Sequence, residues 1–312
     1  MKSARGYKPH LSILFRFECQ RIFGIDTSYS PNVEQNLLIT HAHSDHYGNS
    51  AMLSPKSIAS EKTAKALEIR HGHRFMGRTF KAGEVIDIDG VKVSTHPTEH
   101  TIGAMAFSWK NEVGTRILIT GDVKDATQLP KCDVLITEAN YGDPLDPGCR
   151  FEDDIEGFKA AIGEGVAFGA YAFGKAQRAV ELLRGFGYRD EIEMERKSLE
   201  LSKQLMEGAE PLVGLGENGS KMSVVPPWEL CRLPDRLDKF VLTGREDYPH
   251  KRIRISDHLD FIGLRKMVKQ CSPEMTIVYH PTGDMSAKFA QYLNENGFSA
   301  MTVGDITNVI SA

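Results

Sequence analysis

Several features that would mark an exported, membrane-bound or strongly basic protein are missing from these 312 residues. No apolar run approaches the roughly 20 residues that a membrane-spanning helix needs. The first ten residues are polar and hold no signal-peptide core, which predicts a cytoplasmic protein. Cysteine is sparse: Cys19, Cys132, Cys149, Cys231 and Cys271 are scattered without CxxC spacing. That pattern excludes a zinc knuckle and reads as reduced thiols, not a disulfide frame. A basic excess is absent too, since 38 Lys and Arg against 42 Asp and Glu leave a net charge of −4. Any polyanion must then be drawn to a local basic cleft or to bound metal. Internal repeats and low-complexity tracts are also lacking. What remains, 41% hydrophobic and 26% charged residues, is a globular chain long enough for two joined units.

Hydrophobic patterning divides the chain. Short strands are predicted over 11–15, 37–40, 85–88, 91–95, 104–109, 115–119 and 134–137. Asp89-Gly90 joins two of these as a hairpin, because Gly tolerates the positive φ that such turns demand. A helix over 151–162 and a strand over 166–173 follow. Ala176, Ala179, Val180 and Leu183 then repeat at helical spacing until Gly185 and Gly187. This alternation predicts an α/β unit with parallel strands. The Gly- and Pro-rich stretch 207–238 yields no clear element. A helix over 261–269, a strand over 276–279 and a helix over 284–296 complete the chain.

The densest chemistry lies in Thr40-His41-Ala42-His43-Ser44-Asp45-His46, at the end of an apolar strand. His41 and His43 stand two apart and point the same way on extended backbone. Asp45 and His46 follow in a turn and can aim at a second position. His100, Asp122 (within Gly121-Asp122) and His280 each follow a predicted strand, where a sheet gathers distant residues together. Imidazole with carboxylate suits zinc or a similar first-row ion. His71-Gly72-His73 has metal-like spacing but no nearby carboxylate, and reads as a surface loop. His96 reads as a hydrogen-bonding neighbour of the site. Trp109 and Trp228 read as packing side chains in preference to base-stacking ones.

The HxHxDH run, the later lone His100 and the Gly-Asp step together resemble the metallo-β-lactamase superfamily. Thr137-Glu138-Ala139-Asn140-Tyr141-Gly142 resembles the first motif of its β-CASP nuclease group. Tyr171-Ala172-Phe173-Gly174-Lys175-Ala176-Gln177-Arg178, Ser256-Asp257-His258 and Tyr279-His280 resemble later segments of that group. The similarity spans nearly the whole chain and is greatest to short archaeal and bacterial members tied to mRNA 3′-end processing or to DNA ligase. It implies an α/β fold: an αββα sandwich with an inserted β-CASP domain over the metal cleft. Residues 1–150 and 258–312 would form the sandwich and 151–257 the insert.

The resemblance also implies two Zn2+ ions, with Mn2+ as the alternative. His41, His43 and His100 would hold the first, Asp45, His46 and His280 the second, with Asp122 bridging. Asp26 would accept a hydrogen bond from a ligating histidine. His258 would be the general acid, held by Glu138, with Asp45 the third residue of the catalytic set. Gly174, Lys175 and Arg178, at a helix start, would clamp phosphate. Lys251 to Arg254 is either a second phosphate contact or a charged edge strand. The expected activity is two-metal cleavage of single-stranded RNA or DNA, with RNA 3′-end processing favoured by the histidine at 280. A ligase-associated DNA exonuclease, a small-molecule metallo-hydrolase and a non-catalytic binder are the rival readings. No membrane partner is expected.

Overall fold

The computed structural model describes residues 2–3, 6–7, 13–16, 22–26, 36–47, 51–216, 222–245, 248–279 and 283–310. The chain divides into two compact units: residues 1–150 with 258–312, and residues 151–257. The fold is mixed α/β, with a fully parallel sheet of six strands, mixed sheets of seven and five strands, a two-stranded antiparallel pair and several helices. No helix among the described residues is long and apolar enough to cross a membrane.

In the first unit a seven-stranded sheet runs from Ala300–Thr302 through Met275–Tyr279, Val134–Glu138, Arg116–Ile119 and Met105–Lys110 to Val91–Pro97 and Val85–Ile88. Its first four strands are parallel and the remaining pairings antiparallel. The Asp89-Gly90 turn closes the last hairpin with φ of 52° and 89°, the double positive φ of a type I′ turn. The next hairpin is shaped by Asn111, whose Oδ1 accepts from the Val113 and Thr115 amides.

A five-stranded sheet contributes Phe23, Ile25, Leu38, Ile58 and Phe80 to one apolar cluster. The seven-stranded sheet faces the same cluster with Ile86, Val93, Phe107, Ile119 and Ile136. Its other face packs Leu118 and Leu135 against Phe261, Leu264, Val268, Phe289 and Leu293 of the helices Phe261–Cys271 and Met285–Glu295. Alternate residues of one strand thus serve two cores, as the period of two requires.

The second unit is a six-stranded parallel sheet in the order Leu212–Gly214, Ile192–Met194, Met222–Val225, Val166–Gly169, Asp238–Leu242 and Lys251–Ile253. Phe168, Val224 and Leu242 pack there against Ala176, Val180 and Leu183 of the helix Lys175–Gly185. The strand expected over 166–173 stops at Gly169, and the helix expected over 151–162 covers only Ile155–Ala160, begun by Asp154, which accepts from the Gly157 amide. The stretch 207–238 holds two strands and the 3-10 turn Pro227–Arg232. Lys251–Ile253 is an edge strand, with Lys251 facing Asp238.

Candidate metal centre

The centre is assembled from loops that follow the strands Asn36–Leu38, Val91–Pro97 and Arg116–Ile119, and from the segment of His258 just before the helix Phe261–Cys271. Leu38 ends its strand, so His41 and His43 stand on irregular backbone and not on an extended strand. Backbone hydrogen bonds tie these loops together. Met105 N–H donates to the Thr40 carbonyl at 2.9 Å. The Lys124 and Asp125 amides both donate to the Thr98 carbonyl, joining the His100 loop to the Asp122 loop. Leu259 N–H donates to the Val123 carbonyl, which brings in the loop of His258.

Asp26 anchors the first loop. It is fully buried, has φ of 51°, and accepts from Thr40 N–H at 2.8 Å and from Thr40 Oγ1 at 2.6 Å. Its Oδ2 also lies 2.7 Å from His46 Nδ1, which therefore carries a proton and leaves Nε2 as the nitrogen that can face a metal. Thr40 Oγ1, having given its proton to Asp26, accepts from His41 Nδ1 at 3.0 Å. One carboxylate thereby sets the tautomers of two imidazoles, directly for His46 and through a hydroxyl for His41.

The inward nitrogens converge. His43 Nδ1 lies 3.2 Å from His41 Nε2 and 3.0 Å from His100 Nε2. Asp122 Oδ2 lies 3.8 Å from His41 Nε2 and 3.5 Å from His100 Nε2. A tetrahedral ion bound at 2.0–2.1 Å requires ligand atoms about 3.3 Å apart. The four separations straddle that value, so His41, His43, His100 and Asp122 could hold one metal ion. Asp122 has a second direction as well: its Oδ1 lies 3.4 Å from His46 Nε2.

Burial, reinforced by His46 and His100, holds His41 well below the ordinary imidazole range and keeps it neutral. Burial disfavours charge on His46 too, but Asp122 and Asp26 outweigh it and raise the ring well above the ordinary range. Asp122 is the reciprocal case. Burial opposes its charge, yet His46, His100 and His258 hold it well below the usual carboxylate range.

Beside this group, Glu138 lies buried under four donors. Val123 N–H and His258 Nδ1 reach its Oε1 at 3.0 and 2.8 Å. Asn140 N–H reaches Oε2 at 3.0 Å, and the Asn140 side-chain amide donates to the same oxygen. Asn140 Nδ2 also lies 3.0 Å from His258 Nδ1. Two N–H groups cannot bond each other, so both are read as donors to Glu138. His258 Nδ1 is 3.9 Å from Asp122 Oδ2, and Asp122, Glu138 and His258 form a second group of ligand atoms close enough to share an ion.

His41, His43, His46, His100, Asp122, Asp26, Glu138 and His258 are thus brought together. Asp45 is partly buried and belongs to neither group of metal-competent atoms. His280 lies outside the described residues. Thr40 and Asn140 carry supporting hydrogen bonds that sequence reasoning missed, although both stand inside the motifs singled out. Tyr279 was missed as well. Its hydroxyl is buried without a hydrogen-bond partner among the described residues, and burial and the nearby Asp122 raise its pKa. His71 Nε2 meets Tyr47 Oη at 2.7 Å, and His96 Nε2 meets Ser108 Oγ at 2.8 Å, so neither ring joins the centre.

The helix start in the second unit differs from the expected anion cradle. Gly174 N–H is taken by Gln177 Oε1 at 2.8 Å and Ala176 N–H by the Tyr171 carbonyl at 3.0 Å. These two amides are taken up within the fold. Lys175 is only 8% exposed and has no carboxylate within ion-pair reach among the described residues; its Nζ sits 5.6 Å from the centre of the Tyr171 ring. Arg178 faces Glu181 at 3.8 Å. Trp228 is 58% exposed, which overturns its reading as a packing residue; Trp109 is buried in the inter-sheet core.

Neither the family models nor the curated proteins contain a match to this chain. Among solved structures, the crystal structure of a protein of unknown function from Enterococcus faecalis V583 is similar, with a TM-score of 0.66 and 12% identity over 95% of each chain. At that identity the likeness shows the fold alone.

Proposed function

We propose that the first unit is a two-metal phosphodiesterase of the metallo-β-lactamase type, and that the protein cuts single-stranded nucleic acid. The observation that carries this reading is the Asp122 carboxylate, with one oxygen toward His41 and His100 and the other toward His46. His41, His43, His100 and Asp122 would hold one zinc-like ion. Asp122 and His46 would share the second with Asp45 and His280. Such ions supply positive charge against a phosphate group and acidify a water molecule.

The chain's own residues do the rest. Asp26 and Thr40 keep Nε2 of His46 and His41 turned inward. Glu138 holds His258 through Nδ1, which leaves its Nε2 to carry a second proton. His258 would deliver that proton to the departing oxygen, the step that phosphodiester cleavage demands of a protein acid. Lys175, a buried residue whose ammonium lies over the Tyr171 ring, would contact backbone phosphate, with Arg178 as a second cation. RNA is favoured over DNA by the histidine at 280.

The test is incubation with 5′- and 3′-labelled single-stranded RNA and DNA, with and without chelator, beside a lactone and a thioester. Chelator-sensitive strand cleavage is expected. Turnover of the lactone or thioester alone would replace this reading with a small-molecule hydrolase.

A further inference from the structure

In the second unit two exposed aromatic side chains stand side by side. Tyr171 is 39% and Trp228 58% exposed, with ring centres 6.0 Å apart and planes inclined at 56°. They follow adjacent parallel strands, Val166–Gly169 and Met222–Val225. Both therefore lie at the carboxyl edge of the sheet, where open α/β folds place their ligands.

Local packing holds the pair in place. A Cβ at Gly169 would meet Leu230 Cδ1 at 2.6 Å and the Pro227 Cα at 3.2 Å. Only glycine there lets the turn Pro227–Arg232 settle over the strand end and bring Trp228 beside Tyr171. The Tyr171 hydroxyl is fixed by Tyr248 Oη at 2.7 Å. The Lys175 ammonium lies over the Tyr171 ring, 5.6 Å from its centre, and the residue is 8% exposed. A cation so placed is partly satisfied by the ring, and an anion completes it. Exposed rings beside an uncompensated cation match a ligand that joins flat apolar faces to negative charge.

We propose that Tyr171 and Trp228 form a stacking platform for an unpaired nucleobase, with Lys175 taking an adjoining phosphate. This rests on the nucleic-acid reading above and adds what that reading lacks, a reason to prefer unpaired bases over duplex.

The experiment measures binding of a fluorescein-labelled phosphorothioate oligothymidylate to the full-length protein by anisotropy, and records Trp228 quenching in the unaltered protein. An abasic strand of equal length and charge runs in parallel. The base-bearing strand should quench Trp228 and bind more tightly than the abasic one. Trp228→Ala should weaken base-bearing strands roughly 5- to 150-fold, the usual loss per stacked base. Tyr171→Leu should act in the same direction, and the abasic strand should respond less than twofold (about a measurement error) to either change. Equal affinity for both strands, or unchanged binding by both variants, overturns the platform. Hydrolysis of bis(p-nitrophenyl) phosphate by the unaltered protein separates the two ideas. Turnover with no preference for bases leaves the phosphodiesterase and removes the platform. Base-dependent quenching without turnover does the reverse.

Discussion

Around Asp122, three imidazoles and the carboxylates of Asp26 and Glu138 are buried, and hydroxyls and amides of the same unit set their orientation. Around Tyr171 the opposite holds: aromatic faces meet water, and the buried Lys175 has a ring but, among the described residues, no counter-ion. The first arrangement spends its hydrogen bonds on aiming lone pairs at a point, which a small cation can satisfy and a large ligand cannot. The second offers area and a single charge, which suits a ligand whose shape varies from unit to unit. On the proposed reading chemistry would belong to the first region and capture to the second, so damage to each should register in different measurements.

The sharpest break should come at Asp122. Asp122→Ala removes the carboxylate that faces His41 and His100 with one oxygen and His46 with the other. The lost charge stabilisation is several kcal/mol, so turnover should fall by roughly three decades or more at about 1.4 kcal/mol per decade. Metal content by elemental analysis should fall with it. Activity surviving on one fully bound ion would remove the bridging role.

His258→Ala comes next. Turnover should drop roughly 10²- to 10⁴-fold, the range for general acid–base catalysis, with metal content and thermal stability kept. If metal leaves together with activity, the grouping of Asp122, Glu138 and His258 is an ion site and His258 a ligand.

Asp26→Asn tests the support beneath the ligands and should cost roughly 10- to 100-fold in metal affinity. The same network sets a pH dependence. His46 is raised above its ordinary pKa in the metal-free fold. Its contribution to metal-free stability is therefore full below pH ~6.5 and is lost as pH rises through the raised value. Metal must displace that proton, so apparent affinity should grow with pH over the same window. Calorimetry in buffers of different ionisation enthalpy should detect the released proton; a pH-independent affinity would contradict it.

The smallest effect belongs to the second region. Lys175→Ala should leave metal content unchanged and weaken all single strands about equally. It should also make the salt dependence of binding shallower by about 0.7 in log–log slope. An unchanged slope would reduce Lys175 to a helix start and move the search for a phosphate path to the stretch from Lys251 to Arg254.

How much of this could be read in advance varied with how local the cause was. The Asp89-Gly90 hairpin was legible because a turn's φ requirement is written in two residues. His41, His43 and Asp122 stood out because metal chemistry needs few residue types and strand ends gather them. Thr40 and Asn140 did not, since a hydroxyl or amide becomes a linker only when folding sets it between two partners. Trp228 was misjudged for a related reason: which side of the Pro227–Arg232 turn faces water depends on the strand beneath, and local hydrophobicity is silent on that. The helix Arg196–Leu205 and the strand Met222–Val225 also escaped notice, the latter within a stretch whose Gly and Pro content masked it.

Gly121 extends the demands of the centre to a position without chemistry of its own. It has φ of 63°, and a Cβ there would lie 2.6 Å from Thr40 Oγ1, the hydroxyl that links Asp26 to His41. A single methyl group at that point would press on the linker from the opposite sheet and turn two imidazoles from their target, with no ligand removed. In a saturation-mutagenesis map scored by metal retention, Gly121 should therefore look as intolerant as the histidines. An engineer transplanting the ligands to another scaffold would have to carry this empty space along with them.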